Sequence, residues 1–440
     1  MLGFGMFDIS NLMVVLYFVN FIIALTIIFL ERKDPYATLA WIMILFLVPA
    51  LGIVFYFLFS QNIARQRIFR LTKYEELVIN QALQEQMSAV RQDRFEFVNK
   101  EARKWHNMVS LHQSCANSFL TQDNRISIIT DGIHMFDALL DDIGKASYSV
   151  NVEYFIVKND AVGRRLVSAL TEKARQGVET RLLIDAMGGG QFSERDMDEF
   201  RAAGGKFAFF FPTKLKYLST KLNYRNHRKL VIIDGKVGFL GGFNIGNEYL
   251  GKSKRFGCWR DTHLRLTGSC VQDMNARFML DWRFAAKESM FIAQAYYSEP
   301  EKAGASAVQI VASGPDSSRE EIKHGYLKMI SAASRNIFIQ TPYFVPDASI
   351  LDALKTAALS GVDVRIMIPH MPDHMFVYWA TYSYVGQLIN VGARAFVYDA
   401  GFLHAKTMAV DGEVASVGSA NFDIRSFRLN FETNAFIYDA

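Results

Sequence analysis

No charged residue lies between Asp8 and Glu31, and none lies between Asp34 and Arg65. Each uncharged interval exceeds the roughly 20 apolar residues a helix needs to cross a hydrocarbon core of about 30 Å. Between them, Glu31-Arg32-Lys33-Asp34-Pro35 reads as a polar turn with a helix breaker. The pattern predicts an N-terminal transmembrane helical hairpin over residues 1–64. A cleaved signal peptide fits less well, because no basic stretch precedes the first interval and a second interval follows. A hairpin that enters and leaves one leaflet is the other alternative, since Pro49 and Gly52 allow a kink. The spanning form is favoured. Lys and Arg near span ends mark the cytoplasmic side. Arg65, Arg67, Arg70 and Lys73 follow the second interval, whereas Arg32 and Lys33 are offset by Glu31 and Asp34. The expected location is the cell membrane, multi-pass, with the turn outside and everything after residue 64 in the cytoplasm.

Residues 65–120 are charged and helix-compatible, and are expected to form a juxtamembrane helical linker without chemistry of its own. Beyond them, apolar runs rich in Val, Ile and Phe alternate with helical patterns, as in α/β units with a largely parallel sheet. The pattern occurs twice. Glu153-Tyr154-Phe155 matches Gln340-Thr-Pro-Tyr343-Phe344. The run from Ala169 through Gly177 and Arg181 matches that from Ala353 through Gly361 and Arg365. Ala203 to Phe207 matches Val391 to Phe396. A repeat this long is not a solenoid period. It predicts an α/β fold of two similar α/β/α domains in pseudo-twofold arrangement, 121–295 and 296–440, which face each other across a shared site. The chain stops inside an apolar strand-like run, Ile437-Tyr438-Asp439-Ala440. That is a poor natural terminus, so the second domain is expected to be truncated.

Within each half one segment stands out. His227-Arg-Lys229-Leu-Val-Ile-Ile-Asp234 recurs as His404-Ala-Lys406-Thr-Met-Ala-Val-Asp411. A Gly-rich turn and an Asn follow each copy: Gly241-Gly242-Phe-Asn244, then Gly418-Ser419-Ala-Asn421. With nine His in 440 residues, one accidental H-x-K-x-x-x-x-D match is expected in about two of every hundred such chains. Two matches with the same downstream turn are far rarer.

Those residue types suit metal-free cleavage of a phosphodiester. The reaction needs a nucleophile, an acid for the leaving alkoxide and cations for the phosphoryl oxygens. Histidine titrates near neutrality, so two imidazoles in different protonation states can divide the first two roles. Lys229 and Lys406 would hold charge against the non-bridging oxygens. Asn244 and Asn421 would add neutral donors beside the turns at Gly242 and Ser419, where a backbone can approach closely. A carboxylate would orient each His, and the candidates are Asp234 and Asp411, or Glu248 and Glu432. In each motif strand His and Lys are two apart and share a face, while Asp lies an odd number further on and need not.

Composition narrows the alternatives. Half the residues are hydrophobic, a figure the two uncharged intervals inflate. A net charge of +4 does not imply nucleic acid and suits an anionic lipid surface. Cys115, Cys258 and Cys270 are widely spaced with no C-x-x-C, which argues against a disulfide framework or a zinc site.

The paired motifs resemble those of the phospholipase D superfamily. Arg225-Asn226-His227-Arg228-Lys229, Cys258-Trp259-Arg260-Asp261-Thr262-His263, Thr341-Pro342-Tyr343-Phe344-Val345-Pro346-Asp347, Gly401-Phe402-Leu403-His404-Ala405-Lys406 and Asp423-Ile-Arg425-Ser426-Phe-Arg428-Leu-Asn430-Phe-Glu432 are similar to those of bacterial cardiolipin synthases, from about residue 10 onward. Members of that family usually continue past the second motif with further helices. The resemblance implies two phospholipase-D-type domains and a phosphatidyltransferase that joins two phosphatidylglycerol molecules with release of glycerol. His227 would form a phosphatidyl-histidine. His404 would protonate the leaving glycerol, then deprotonate the second lipid. His227, Lys229, Asp234, His404, Lys406 and Asp411 are the expected catalytic residues, with Asn244, Gly242, Ser419, Asn421 and Glu432 binding substrate. No cofactor and no metal are implied. The partners are phosphatidylglycerol and an anionic bilayer, with no nucleic acid and no particular oligomeric state. A hydrolytic phospholipase D, or a transferase to another alcohol, would use the same residues. A non-catalytic membrane scaffold is the reading from another class.

Other conspicuous residues read as structural. His263 and His324 have no repeated surroundings. His370 and His374 flank Pro372 and lack the carboxylate of a zinc helix. Gly188-Gly189-Gly190 lacks the Lys-Ser or Lys-Thr of a phosphate loop and reads as a turn. Lys214, Lys216, Tyr217 and Lys221 suit a membrane-facing loop. The aromatic residues from Phe376 to Tyr384 either line a lipid path or pack a helix.

Overall fold

Two seven-strand halves join edge to edge in one sheet, and the joint is what brings their repeated motifs together. The computed structural model describes residues 9–31, 35–59, 68–69, 71–190, 192–212, 223–288, 290 and 302–439. The first half contains β1 Thr121–Asp131, β2 Ser149–Tyr154, β3 Glu179–Asp185, β4 Lys206–Phe210, β5 Arg225–Asn226, β6 Leu230–Ile233, β7 Val237–Gly241 and β8 Cys258–Thr267. The second contains β9 Ser306–Ser313, β10 Asn336–Gln340, β11 Phe344–Val345, β12 Asp363–Pro369, β13 Arg394–Tyr398, β14 Gly401–Leu403, β15 Thr407–Val410, β16 Val414–Gly418, β17 Phe422–Asp423 and β18 Asn430–Tyr438.

The order β13-β12-β10-β15-β16-β18-β9-β1-β8-β7-β6-β2-β3-β4 reads the same from either end under the repeat, with β9 against β1 at the centre. In each half the outer three strands are parallel and the inner strands antiparallel. Two short strands cross over: β5 pairs with β18, and β14 pairs with β8. Each motif is thus clamped by the half it does not belong to.

Alternation along β2 shows why the sheet is covered on both faces. Val150 and Val152 enter the first-half core with Met135, Phe136 and Leu166, from helices Gly132–Lys145 and Ala161–Arg175. Asn151 points the other way, where its amide donates to Asn275 Oδ1 at 3.1 Å, on helix Cys270–Ala286. Residues 73–116 form three helices: Lys73–Arg91, Lys100–Lys104 and His106–Ala116. Val90, Ala102, Trp105, Met108 and Val109 are buried in the second-half core, so the expected linker is an integral layer of the catalytic unit.

The N-terminal residues form a separate unit. Here α1 Ile9–Thr26 runs into a wider turn, Ile27–Glu31, and Asn11–Phe29 is long and apolar enough to cross a membrane, with mean hydropathy 2.7. The second interval departs from the expected single span. It is two helices, α2 Pro35–Leu47 and α3 Pro49–Phe59, about 20 and 16 Å long at 1.5 Å per residue. They fold back on each other. Trp41 and Tyr56 would lie about 22 Å apart along one straight helix, yet their ring centroids are 5.5 Å apart. The cause is local. Pro49 lacks the N–H that would bond the Leu45 carbonyl, and the buried Asn20 amide donates to that carbonyl at 2.6 Å. Gly52 approaches Ile44 so closely that a Cβ would lie 2.8 Å from its carbonyl oxygen. The turn residues 32–34 and the basic residues Arg65, Arg67 and Arg70 lie outside the described residues, as does the loop with Lys214, Lys216, Tyr217 and Lys221.

Candidate active site

Each motif histidine begins where a crossed-over strand ends. His227 N donates to Phe431 O at 2.9 Å, and His404 N donates to Arg260 O at 2.7 Å. The next residue, Arg228, is buried and ties the joint together. It donates to both Asp281 carboxylate oxygens at 2.9 and 3.0 Å, to Thr433 Oγ1 at 3.0 Å and to Ser313 O at 3.2 Å. Alternation returns Lys229 to the His227 face, where its ammonium donates to His227 O at 2.7 Å. Lys406 likewise donates to His404 O.

The orienting carboxylates are exchanged between halves. His227 Nδ1 lies 2.9 and 3.0 Å from the Glu432 oxygens. His404 Nδ1 lies 2.6 Å from Asp261 Oδ2. A neutral ring with its proton on Nδ1 donates to the carboxylate and leaves Nε2 with its lone pair free to react. The Lys406 ammonium is also 2.9 Å from His404 Nδ1. One nitrogen cannot donate to the carboxylate and accept from the ammonium, so Lys406 is a close charge there. Ser419 Oγ donates to Glu432 at 2.5 Å and Asn430 Nδ2 at 3.1 Å, fixing that carboxylate. Gly242, the counterpart of Ser419, leaves room for the other: a Cβ there would lie 2.0 Å from Asp261 Oδ1. Gly242 and Ser419, expected to bind substrate, thus act on the carboxylates.

Asp234 and Asp411 are not in this cluster, which corrects their expected catalytic placement. Asp234 accepts from Ser147 N, Ser147 Oγ, Tyr148 N and Ser149 N at 2.7–3.1 Å. Asp411 accepts from Ser334 N, Ser334 Oγ, Arg335 N and Asn336 N at 2.7–2.9 Å. Both occupy left-handed turns, φ 53° and 57°, where the motif strand reverses. Each locks that reversal to the start of the neighbouring antiparallel strand, β2 or β10. Glu248 pairs with Lys158 at 2.6 Å, not with a motif histidine. Asn244 Oδ1 accepts from Ile156 N at 3.2 Å. Asn421 is buried, and its Oδ1 has no hydrogen-bond partner among the described residues.

Asp261 was missed by sequence reasoning, although a signal exists. Asp261-Thr262 on β8 and Glu432-Thr433 on β18 occupy equivalent strands of the repeat. Aligning those strands, and not only the motifs, pairs the two carboxylates. The Gly188–Gly189 turn is structural as expected. A Cβ at Gly188 would strike Phe155 O, and the Phe155 ring stands edge-on to His227 at 5.0 Å. Among the described residues no cluster of three His, Cys, Asp or Glu is placed to hold a metal.

Burial dominates the electrostatics of the cluster. Burial and the Lys406 charge push the His404 imidazole down to about 4, against the upward pull of Asp261. Burial also lowers His227 despite Glu432. It drags the Lys229 ammonium down to about 7 and lowers Lys406 as well. Burial alone would raise the two carboxyls. Instead Lys406 and His404 hold Asp261 below the usual carboxylate range, and His227 and Lys229 do the same for Glu432. The basic groups of one half appear in the fields of the other: Lys406 acts on His227 and Lys229, and Lys229 on His404. The two motifs therefore make one site.

A duplicated α/β unit with two His-Lys pairs converging on a single dry cluster defines an enzyme of the phospholipase D superfamily. The comparisons narrow the class. A model described as "Cardiolipin synthase, PLD-like domain" matches residues 139–278 and 326–440, and one described as "Phospholipase_D-nuclease N-terminal" matches 18–61. The major cardiolipin synthase of Bacillus subtilis is 47% identical over 434 residues, covering 98% of this chain and 90% of the relative. A cardiolipin synthase of Oceanobacillus iheyensis is 49% identical over 433 residues, with the same coverage. Phosphatidylserine synthase of Haemophilus influenzae shares the fold, with TM-score 0.59 at 14% identity over 78% of this chain and 87% of that one. The chain belongs to the cardiolipin synthase family.

Proposed function

We propose that the chain transfers a phosphatidyl group from one phosphatidylglycerol to the terminal hydroxyl of another, releasing glycerol and forming cardiolipin. The observation that carries this reading is the reciprocal carboxylate exchange, Glu432 on His227 and Asp261 on His404. It gives two oriented imidazoles, each with Nε2 free for chemistry, beside two lysines whose depressed basicity an entering phosphodiester would restore. Family membership supports the lipid substrate.

His227 Nε2 attacks phosphorus, and the P–O bond to the leaving glycerol breaks. Protonated His404 gives that oxygen its proton, leaving a phosphatidyl-Nε2 bond and a neutral His404. The charge of the bound phosphodiester raises His404 enough to carry this proton. The hydroxyl of the second phosphatidylglycerol then gives its proton to His404 and attacks phosphorus, and the bond to His227 breaks. Lys229, Lys406 and the Asn421 amide stabilise the charge on the non-bridging oxygens. The order of the two histidines follows the family resemblance.

The membrane arrangement proposed with this reaction has one crossing, through residues 9–31. The helices α2 and α3, each shorter than a hydrocarbon core of about 30 Å, re-enter from the cytoplasmic side. Arg32, Lys33, Arg65, Arg67, Arg70 and Lys73 then all lie on the cytoplasmic face, which the positive-inside tendency favours over a fully spanning hairpin. The catalytic unit stays in the cytoplasm.

Full-length protein reconstituted with phosphatidylglycerol alone tests the reaction. Equal amounts of cardiolipin and glycerol are expected. Phosphatidic acid as the main product would replace the transferase with a hydrolase, and absence of turnover would remove the enzymatic reading.

A further inference from the structure

A second charged concavity lies outside the active site, and none of the residues invoked above for catalysis lines it. It is an open cleft of about 730 Å³ between the end of the helix Lys73–Arg91 and the helices Lys100–Lys104 and His106–Ala116. Its lining contains Arg91, Lys100, Arg103 and Lys104 against the single acid Asp93, a net of four minus one, or +3. The whole chain carries only +4, so the cleft is a strong local concentration of charge.

Three of those cations are loosely held. Arg91 reaches Ser114 Oγ only at 3.4 Å. Arg103 reaches Asp93 at 3.4 Å, with both side chains mostly exposed. Lys100 is 90% exposed, and its Glu101 contact is 3.7 Å. Lys104 differs, because Glu413 holds it at 2.7 Å. Beneath the cations Val90 and Phe97 supply an apolar floor. A ligand carrying a phosphate next to apolar surface fits that combination. On the same first helix Tyr74, Leu77 and Val78, spaced i, i+3, i+4, are all exposed, an apolar stripe without cover among the described residues. In sequence this helix begins at Lys73, soon after the N-terminal apolar segment ends at Phe59.

We propose that this cleft binds the phosphodiester headgroup of an anionic phospholipid, at a site separate from catalysis. The lipid's phosphate sits among Arg91, Lys100 and Arg103, its glycerol backbone against Val90 and Phe97. The inference does not depend on the reaction proposed above. It gives the helices before the first repeat a lipid-binding role besides packing.

Hydrogen exchange on the full chain tests it, with His227→Ala to prevent turnover. Discs of phosphatidylcholine are compared with discs that also contain phosphatidylglycerol. The expected result is exchange slowed several-fold across residues 91–107 in the anionic discs. That protection is lost in the triple variant Arg91→Gln, Lys100→Gln, Arg103→Gln, and exchange at 149–154 and 430–438 stays unchanged as evidence of an intact fold. If the triple variant does not fold, Lys100→Gln alone carries the test, since its side chain is almost fully exposed, and a partial loss is expected. Equal exchange in both kinds of disc, or protection that survives substitution, overturns the proposal. So does the same protection from inorganic phosphate in neutral discs, which would assign the cleft to a free anion.

Discussion

At Asp261 and Glu432 a single hydrogen bond sets what each histidine can do. Asp261→Asn keeps the size but offers His404 Nδ1 a neutral acceptor or a donor, so the reactive tautomer is no longer enforced. Turnover should fall by roughly 10²-fold or more, with little change in thermal stability, and Glu432→Gln should behave alike through His227. Asp234→Asn should do the reverse. It disturbs up to four hydrogen bonds at a turn and should cost about 2 kcal/mol of stability while kcat stays within a few-fold. Parallel melting curves and rates separate the two classes, and a catalytic collapse at Asp234 with unchanged stability would contradict the assignment. His263 gives a test in pH. It is buried, and neither ring nitrogen has a hydrogen-bond partner among the described residues. Burial pushes it from the ordinary 6.5 down to about 3. The unfolded chain therefore takes up a proton that the folded one refuses, and this residue's contribution to stability falls as pH drops below about 6.5. His263→Leu should gain on the parent between pH 6.5 and 4, and a constant gap would refute the sign.

At the scale of elements, the repeat made the strands legible in advance. Val, Ile and Phe runs such as Val150–Tyr154 and Arg365–Ile368 are strands, and the odd spacing from Lys to Asp correctly left Asp234 and Asp411 free to point elsewhere. The crossover strands were not legible. Arg225–Asn226 and Gly401–Leu403 are two and three residues long, too short for periodicity to register, and their partners lie in the opposite half. The orienting residue for His404 therefore could not be read from the motif containing His404. The fold-back of α2 on α3 was visible only as a possibility at Pro49 and Gly52. Its confirming contact, Asn20 to Leu45 O, links positions no local pattern connects. Single cysteines placed at residues 4 and 33 test the resulting topology. Residue 33 should be labelled only after reagent gains the cytoplasmic face, and residue 4 from outside. Residue 33 labelled from outside, with residue 4 labelled only after reagent gains the cytoplasmic face, would restore a hairpin that spans twice.

For the whole molecule, two halves share one sheet, and the joint buries four basic side chains and two carboxylates in one cluster. In the proposed reaction Lys229 and Lys406, not a metal ion, supply the cations for the phosphoryl group. Turnover of phosphatidylglycerol should therefore survive a chelator, and loss of rate restored by one specific divalent ion would contradict that role. The central claim is a covalent phosphatidyl-His227 intermediate formed at this joint site. Rapid acid-free quenching of the full-length protein during turnover, followed by peptide mass spectrometry, tests it most directly. The account predicts a phosphatidyl adduct on the peptide containing His227, chased into cardiolipin by unlabelled phosphatidylglycerol and absent from His227→Ala. An adduct on the His404 peptide, or cardiolipin formed by His227→Ala at the parent rate, would contradict it.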